Sequence, residues 1–296
     1  MRICVIFNPT ARGEKARQLR PYLDEIARKA TLKATTSAGD ARRLASQAVR
    51  EGFEIVAAAG GDGTLNEVLN GLCDTPDGLE RVRLAVLPLG TVNVFARELA
   101  LPAGLKAAWE TILRAKESRI DLPCVEYSAS GKTERRYFAQ LAGAGLDARA
   151  VELVNWRVKK LVGPLAYVMA GCHALLGAPS QITVNGGSRT FNTGLVLIGN
   201  GRLYGGPFRI FPRADLRDGL LEVCVFPRAD WLTLARYGPH LLMKGELPAS
   251  ATELFQTASL SLTSTSPAPL EVDGEYIGRL PATFSVLPSK LRVIVP

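Results

Sequence analysis

Apolar residues change their rhythm along this chain. Arg2–Phe7, Phe53–Ala59 and Arg83–Leu87 are short apolar runs bounded by polar, Gly or Pro residues. Their length and flanks predict strands buried on both faces, as in a parallel sheet. Between them the apolar positions recur at helical spacing. Leu19, Leu23, Ile26 and Ala30 form one such face, with Pro21 expected to bend or restart the helix. A second helix opens at Asp40, carries Leu44, Ala45 and Ala48, and ends near Gly52. Leu65, Val68, Leu69 and Leu72 mark a third, and another spans 103–115. Alternation of this kind over about 120 residues predicts a parallel sheet with helices on both faces.

From Ile120 the texture shifts. Tyr137–Leu141, Gln181–Val184, Gly194–Ile198, Leu220–Phe226, Leu260–Thr263 and Ala282–Leu287 are strand-like runs separated by Gly, Pro, Asn and Asp. They predict a mainly antiparallel β domain over 120–289, after an α/β domain over 1–119. Helical patterns at 148–161, at 165–176 and after Trp231 interrupt it, and a last strand at 290–296 is expected to return to the first domain.

One turn carries most of the candidate chemistry. Gly60-Gly61-Asp62-Gly63-Thr64-Leu65-Asn66-Glu67 lies between a predicted strand and a predicted helix. Glycines there let the backbone approach a ligand, and N–H groups at a helix start favour an anion. Thr64 and Glu67 have the spacing of a capping box. No Gly-Lys-Ser/Thr follows, and the glycine spacing is not that of a dinucleotide fingerprint. The segment reads as a phosphate cradle with its own carboxylate, Asp62.

Further along, Asp273-Gly274 predicts a tight hairpin ahead of Glu275. Asp215-Leu216-Arg217-Asp218-Gly219-Leu220 places two carboxylates and a backbone carbonyl where they suit a hard cation or, equally, a polar turn. Val154–Leu161 mixes basic and apolar residues, the composition of a membrane-surface helix or of an ordinary amphipathic one.

Several segments together resemble the diacylglycerol kinase catalytic-domain family, whose lipid-kinase branch shares the Gly-Gly-Asp-Gly-Thr-Leu-Asn-Glu stretch. Asn8-Pro9-Thr10-Ala11-Arg12-Gly13, Thr35 with Gly39-Asp40-Ala41, and Leu89-Gly90-Thr91-Val92-Asn93 resemble its other nucleotide loops. Gly199–Arg202, Tyr204–Gly206, Asp215–Leu220 and Asp273–Glu275 also match, in the family's order. The resemblance implies an α/β nucleotide-binding domain, a β-sandwich-like domain, and an active site in the cleft between them. It implies ATP held by Asn8, Thr10, Thr35, Gly60, Gly61, Asp62, Gly63, Thr64, Leu65, Asn66 and Thr91. Asp62 would act on Mg2+ at the phosphates, Glu275 as general base, and Asp215, Asp218 and the Leu220 carbonyl on a second, structural Mg2+. Thr91 and Asn93 would offer hydroxyl and amide groups to phosphate or headgroup. Many diacylglycerol kinases carry an acidic residue where this chain has Val94. Diacylglycerol is therefore one expected acceptor, and a sphingoid base or ceramide its rival. A soluble acceptor such as NAD and a non-catalytic nucleotide- or lipid-binding regulator complete the alternatives.

Composition narrows the partners. The 296 residues hold 36 basic and 28 acidic side chains, a net charge of +8. A basic surface suits nucleotides, nucleic acid or an anionic membrane. No zinc-finger or RNP-type pattern is present, which disfavours nucleic acid and favours a membrane surface, where the resemblance implies a lipid substrate. A homodimer is left open. The five cysteines are scattered, without C-x-x-C, and predict free thiols in a reducing compartment. The first apolar run is too short for a signal peptide, and 163–178 falls short of a membrane span. The expected location is cytoplasmic and peripheral to the membrane. His173 and His240 share no metal spacing, which disfavours a Ser-His-Asp hydrolase.

Overall fold

The structure, a computed structural model, describes residues 1–9, 14–129, 131–153, 180–228 and 230–296. The N-terminal half alternates strand and helix. It runs β1 (Ile3–Phe7), α1 (Glu14–Ala27), β2 (Thr31–Ala34), α2 (Asp40–Arg50) and β3 (Ile55–Gly60). It continues through α3 (Asp62–Cys73), α4 (Gly78–Arg81), β4 (Arg83–Pro88), α5 (Val94–Glu98) and α6 (Leu105–Arg114). The strands pair in parallel in the order β2-β1-β3-β4.

Strand alternation builds the three layers. Cys4, Ile6, Val56, Ala58, Leu84 and Val86 face α2 and α3. Ile3, Val5, Ile55, Ala57, Ala85 and Leu87 face the opposite side, against α6 and its Trp109 and Ile112. Helix α1 continues through Pro21 without a restart. Strand β2 escaped the hydrophobic pattern because it is a four-residue edge strand, Thr-Leu-Lys-Ala, exposed at both ends.

The second half begins with β5 (Glu117–Ala129), β6 (Lys132–Tyr137), β7 (Leu141–Gly145) and α7 (Leu146–Leu153). After residue 180 come β8 (Ile182–Gly186), β9 (Arg189–Thr193), β10 (Leu195–Gly199), β11 (Leu203–Tyr204) and β12 (Phe208–Arg209). Then follow β13 (Leu221–Phe226), α8 (Trp231–Lys244), β14 (Glu253–Thr257) and β15 (Ser259–Ser264). The chain closes with β16 (Pro269–Val272), β17 (Glu275–Arg279) and β18 (Ala282–Ile294).

Strands β14-β13-β10-β7-β16-β17 form an antiparallel sheet. Its inner face packs on β5, β8, β15 and the first part of β18 through Val125, Phe138, Val196, Val223, Leu270 and Phe284. The result is a β-sandwich-like domain. The two halves also share a sheet, because β18 pairs antiparallel with β15 at Ser259–Leu262 and parallel with β4 at Val293–Leu84. The Tyr137–Leu141 run, read as one strand, is instead the break between β6 and β7. The predicted helix at 148–161 is described only to Leu153, and the pattern at 165–176 lies outside the described residues. No described helix is long and apolar enough to cross a membrane. Cys4, Cys73, Cys124 and Cys224 are free thiols.

Candidate active site

Four parallel strands end along one edge of the first sheet, and the predicted nucleotide segments follow those ends. Asn8 follows β1, Thr35 follows β2, Gly61 follows β3, and the Leu89–Asn93 loop follows β4. Backbone bonds tie the edge together: Thr35 N–H to Phe7 O at 2.9 Å, Asn8 N–H to Ala59 O at 3.4 Å, Leu89 N–H to Gly60 O at 2.9 Å. Ligands of open α/β sheets bind beyond the carboxyl ends of the strands. Thr35 itself is buried, Thr91 is exposed, and Thr10 lies outside the described residues. Asp40, whose carboxyl is held low by Thr36 first and by Ser37 and Arg43 in support, closes the turn after Thr35.

The Gly-rich turn differs from expectation in its cap. Helix α3 begins at Asp62 with Gly61 as N-cap and without a side-chain cap. Starting there puts Thr64 inside the first turn, so the Thr64–Glu67 capping box does not form. Glu67 instead accepts from the Gly39 and Ala41 N–H groups at 3.0 Å each, capping α2. The glycines matter for contact. An added Cβ at Gly90 would lie 2.6 Å from the Gly61 Cα, so the two loops meet backbone to backbone. A Cβ at Gly63 would meet nothing, leaving the helix start open. Asn93, at φ 52°, accepts from Gly90 N–H at 3.0 Å and donates to Gly90 O at 2.7 Å. Its amide closes this turn, the capped-turn alternative for this residue.

Asp62 sits between these loops. Burial raises its carboxyl; the N–H of Val94 pulls it back, the negative Asp273 adds to the rise, and the Phe95 and Asn93 N–H groups oppose it. Asp62 thus lies close to the start of α5 across the junction. Leu65 is a core residue of α3, and Asn66 is fully buried.

Asn66 is where the halves of the chain meet. Its Nδ2 donates to Asp273 Oδ2 at 2.8 Å and to Tyr137 O at 3.1 Å, and its Oδ1 accepts from Arg136 Nε at 3.0 Å. Asp273-Gly274 forms the predicted two-residue hairpin, with φ of 48° and 79° and Val272 opposite Glu275. Both central residues at positive φ match the turn that hairpins prefer. Asp273 also accepts from the N–H groups of Ala139 (2.8 Å), Gln140 (3.0 Å) and Leu141 (3.2 Å). Burial pushes its carboxyl up and these donors restrain it. Glu275, half exposed at the start of β17, accepts from Arg136 Nη2 at 2.7 Å. Its second oxygen has no hydrogen bond among the described residues. The structure therefore brings Asp62, Asn66, Asp273 and Glu275 to one junction, through bonds spanning up to 207 positions of sequence.

Behind the hairpin lies a buried acid pair absent from the sequence reading. Glu271 Oε2 accepts from Gly274 N–H at 2.7 Å. Its Oε1 and Asp147 Oδ2 have no other partner and are directed at each other. Tyr204 donates its hydroxyl to Asp147 Oδ1. Gly143 makes room, since a Cβ there would collide with both carboxyls. Two carboxyl groups can bond only by sharing a proton. Burial raises both, Glu271 far above its ordinary range.

Among the described residues no hydrogen bond joins the Asp215–Leu220 loop to this junction. Asp215 Oδ1 accepts from Arg217 N–H at 3.0 Å, and Asp218 accepts from Leu220 N–H at 2.9 Å and Gln256 Nε2 at 3.1 Å. Burial raises the Asp218 carboxyl, Leu220 N–H lowers it, and the charges of Asp215 and Asp121 add to the rise. Among the described residues no three His, Cys, Asp or Glu side chains converge on one point. Two mutually repelling carboxylates beside a backbone carbonyl still fit a hard cation completed by water.

Arg136, Asp147, Glu271 and Glu98 were missed in the sequence. Glu98 joins α5 to β11 by accepting from Leu203 N–H (2.9 Å) and Gln140 Nε2 (3.0 Å). Each stands in a strand or helix whose local pattern is explained without it. Only the long-range partner gives it meaning.

Comparison with known proteins agrees with this architecture. Residues 2–125 match the diacylglycerol kinase catalytic domain, and residues 140–295 match the YegS C-terminal NAD kinase beta sandwich-like domain. A diacylglycerol kinase of Staphylococcus carnosus (strain TM300) is 31% identical over 99% of this chain and 94% of its own length. One from Staphylococcus haemolyticus (strain JCSC1435) is 31% identical over 100% of this chain and 89% of its own. The crystal structure of a diacylglycerol kinase from Bacillus anthracis str. Sterne superposes with a TM-score of 0.71 at 19% identity, covering 100% of this chain and 97% of that one, and shares the fold. With its parallel-sheet domain, its sandwich and relatives spanning its whole length, this chain belongs to the diacylglycerol kinase catalytic-domain family of lipid kinases.

Proposed function

We propose that this enzyme transfers the γ-phosphoryl group of ATP to a hydroxyl of an amphipathic lipid, with diacylglycerol as acceptor. The observation that carries the reading is the junction itself. The open start of α3, with Asp62, meets the Asp273–Glu275 hairpin through the Asn66–Asp273 bond. Phosphoryl transfer needs positioning, neutralisation of charge, and a group to take the nucleophile's proton. The backbone after β1, β2, β3 and β4 supplies the edge for nucleotide, with the N–H groups at the start of α3 toward phosphate. Asp62 fits a role on Mg2+, since burial and Asp273 leave its charge under-compensated. Mg2+ bound there would draw negative charge from the β- and γ-phosphates. A second ion on Asp215, Asp218 and the Leu220 carbonyl would relieve repulsion in that loop.

Glu275 is the proposed general base. Arg136 holds one of its oxygens, and the other is left to accept the proton of the acceptor hydroxyl. The relatives named diacylglycerol kinase support that acceptor. A sphingoid base or ceramide is the second reading, favoured by Val94, an apolar residue buried at the start of α5 beside Asp62. Purified protein incubated with labelled ATP and Mg2+ should label diacylglycerol in mixed micelles. Ceramide, a sphingoid base and NAD presented in parallel separate the alternatives. Label on NAD alone, or on nothing, would overturn the lipid-kinase assignment of this site.

A further inference from the structure

We infer that the outward face of α8 is a docking surface for an anionic lipid bilayer. Among the described residues seven large apolar side chains are exposed, and four of them lie on this helix. They are Trp231 (48%), Leu232 (69%), Leu242 (70%) and Met243 (85%). With exposed Ala235 and Arg236 between them, they recur at helical spacing and share one side. Leu241, on the other side, packs against the cluster containing Phe211, Cys224 and Phe226. A surface helix ordinarily turns its apolar stripe inward and its charges outward. Here the outward side is apolar as well.

Charge chooses the occupant. The helix contains no carboxylate, and its charged residues are Arg236 and Lys244; exposed Arg228 precedes it and exposed Glu246 follows its Gly245 cap, leaving the face net basic. The carboxylate of the N-cap Asp230 is taken by Thr233 N–H at 2.8 Å. A second copy of the chain docked face to face would set these cations against their own kind. An anionic leaflet attracts them while the apolar ridge enters the headgroup layer, with Trp231 as an interfacial anchor. The helix is also coupled to the junction. Gly245 O, at its C-terminal end, accepts from Arg209 N–H at 2.6 Å. Arg209 belongs to the β11–β12 hairpin, whose Leu203 N–H is held by Glu98 of α5. A bilayer on α8 would thus lie two links from the loop containing Thr91.

The biological sense of this surface rests on the lipid-acceptor reading, but the surface can be tested without it. Sedimentation with vesicles of phosphatidylglycerol and phosphatidylcholine, against phosphatidylcholine alone, measures binding. Wild type should prefer the anionic vesicles, and the preference should fade with salt. The double variant Leu242→Glu/Met243→Glu, at two outward positions, should bind them at least about tenfold more weakly. Its melting temperature and its kcat on a detergent-dispersed acceptor should be unchanged. Arg236→Ser/Lys244→Ser, which leaves the apolar ridge intact, is the companion should the first variant unfold, and it should remove the preference for anionic vesicles. Undiminished vesicle binding in folded variants overturns the proposal. So does a wild-type dimer that the first variant converts to monomer, which would show that a second copy covers this face. If the vesicle result holds while wild type labels no lipid in micelles, the docking surface stands and the acceptor reading fails.

Discussion

Asn66 and Asp273 stand 207 positions apart in the chain, and the amide of the first donates to the carboxylate of the second at 2.8 Å. One belongs to the helix that opens the phosphate cradle and the other to the hairpin that presents Glu275. Their bond fixes the register between the two halves of the site.

Asp273 accepts from Asn66 and from three consecutive backbone N–H groups. In Asp273→Asn one oxygen becomes an NH2 facing donors. Leaving buried donors unmet costs about 1–3 kcal/mol. Thermal unfolding should show that loss, with kcat falling because Glu275 is displaced. Unchanged melting with unchanged turnover would show the bonds to be dispensable.

Asp62→Asn keeps the side chain's size and removes the charge near the phosphates. Turnover should fall by about 10²–10³-fold or more, the cost of losing an electrostatic group at the reacting centre. Melting should be little affected. Near-normal activity at saturating Mg2+ would reduce this aspartate to a turn former at the start of α3.

Asp218 is raised by burial, with the charges of Asp215 and Asp121 adding to it, so a cation in that loop should stabilise the fold. Mg2+ should raise the melting temperature of wild type, chelation should lower it, and Asp215→Ala should abolish both responses. A variant that answers Mg2+ and chelator as wild type does would remove the cation from this loop.

The Asp147–Glu271 pair sets a pH dependence. Burial raises Glu271 in the folded protein well above its unfolded value. Such a group binds its proton more tightly when folded, so stability is lost as pH rises from the unfolded value through the folded one. Gln in its place can accept from Gly274 N–H and donate to Asp147 Oδ2 without titrating. Glu271→Gln should match wild type at about pH 5 and grow relatively more stable toward about pH 9. Parallel melting curves over that range would mean the pair shares no proton.

The layers of the first domain were legible because period and burial agree. Ile55–Ala59 is apolar throughout, and β3, which contains it, is buried along its whole length. Edge strand β2 was not, since it has only four residues, two of them exposed, and only Leu32 and Ala34 are apolar. Strand β5 was hidden for another reason. Its first half completes the parallel-sheet domain and its second half the sandwich, so its burial changes from end to end. In the site, Gly60–Asn66 and Asp273–Glu275 were visible as motifs, because tight turns demand particular residues at adjacent positions. Arg136 was not. The four β6 residues before it are exposed, and its partners lie 70 and 139 positions away. Asn93 was read as a ligand group or a turn cap, and its bonds to Gly90, with φ at 52°, show the cap.

Glu275 carries the central claim, and its kcat is the most direct test. Glu275→Gln keeps an acceptor for Arg136 and removes the base. On the acceptor that wild type phosphorylates best, kcat should fall by about 10²–10⁴-fold while ATP affinity stays within about twofold, since the glutamate faces the acceptor and not the nucleotide. A variant that turns over as fast as wild type would contradict the assignment and leave Glu275 as an exposed partner of Arg136.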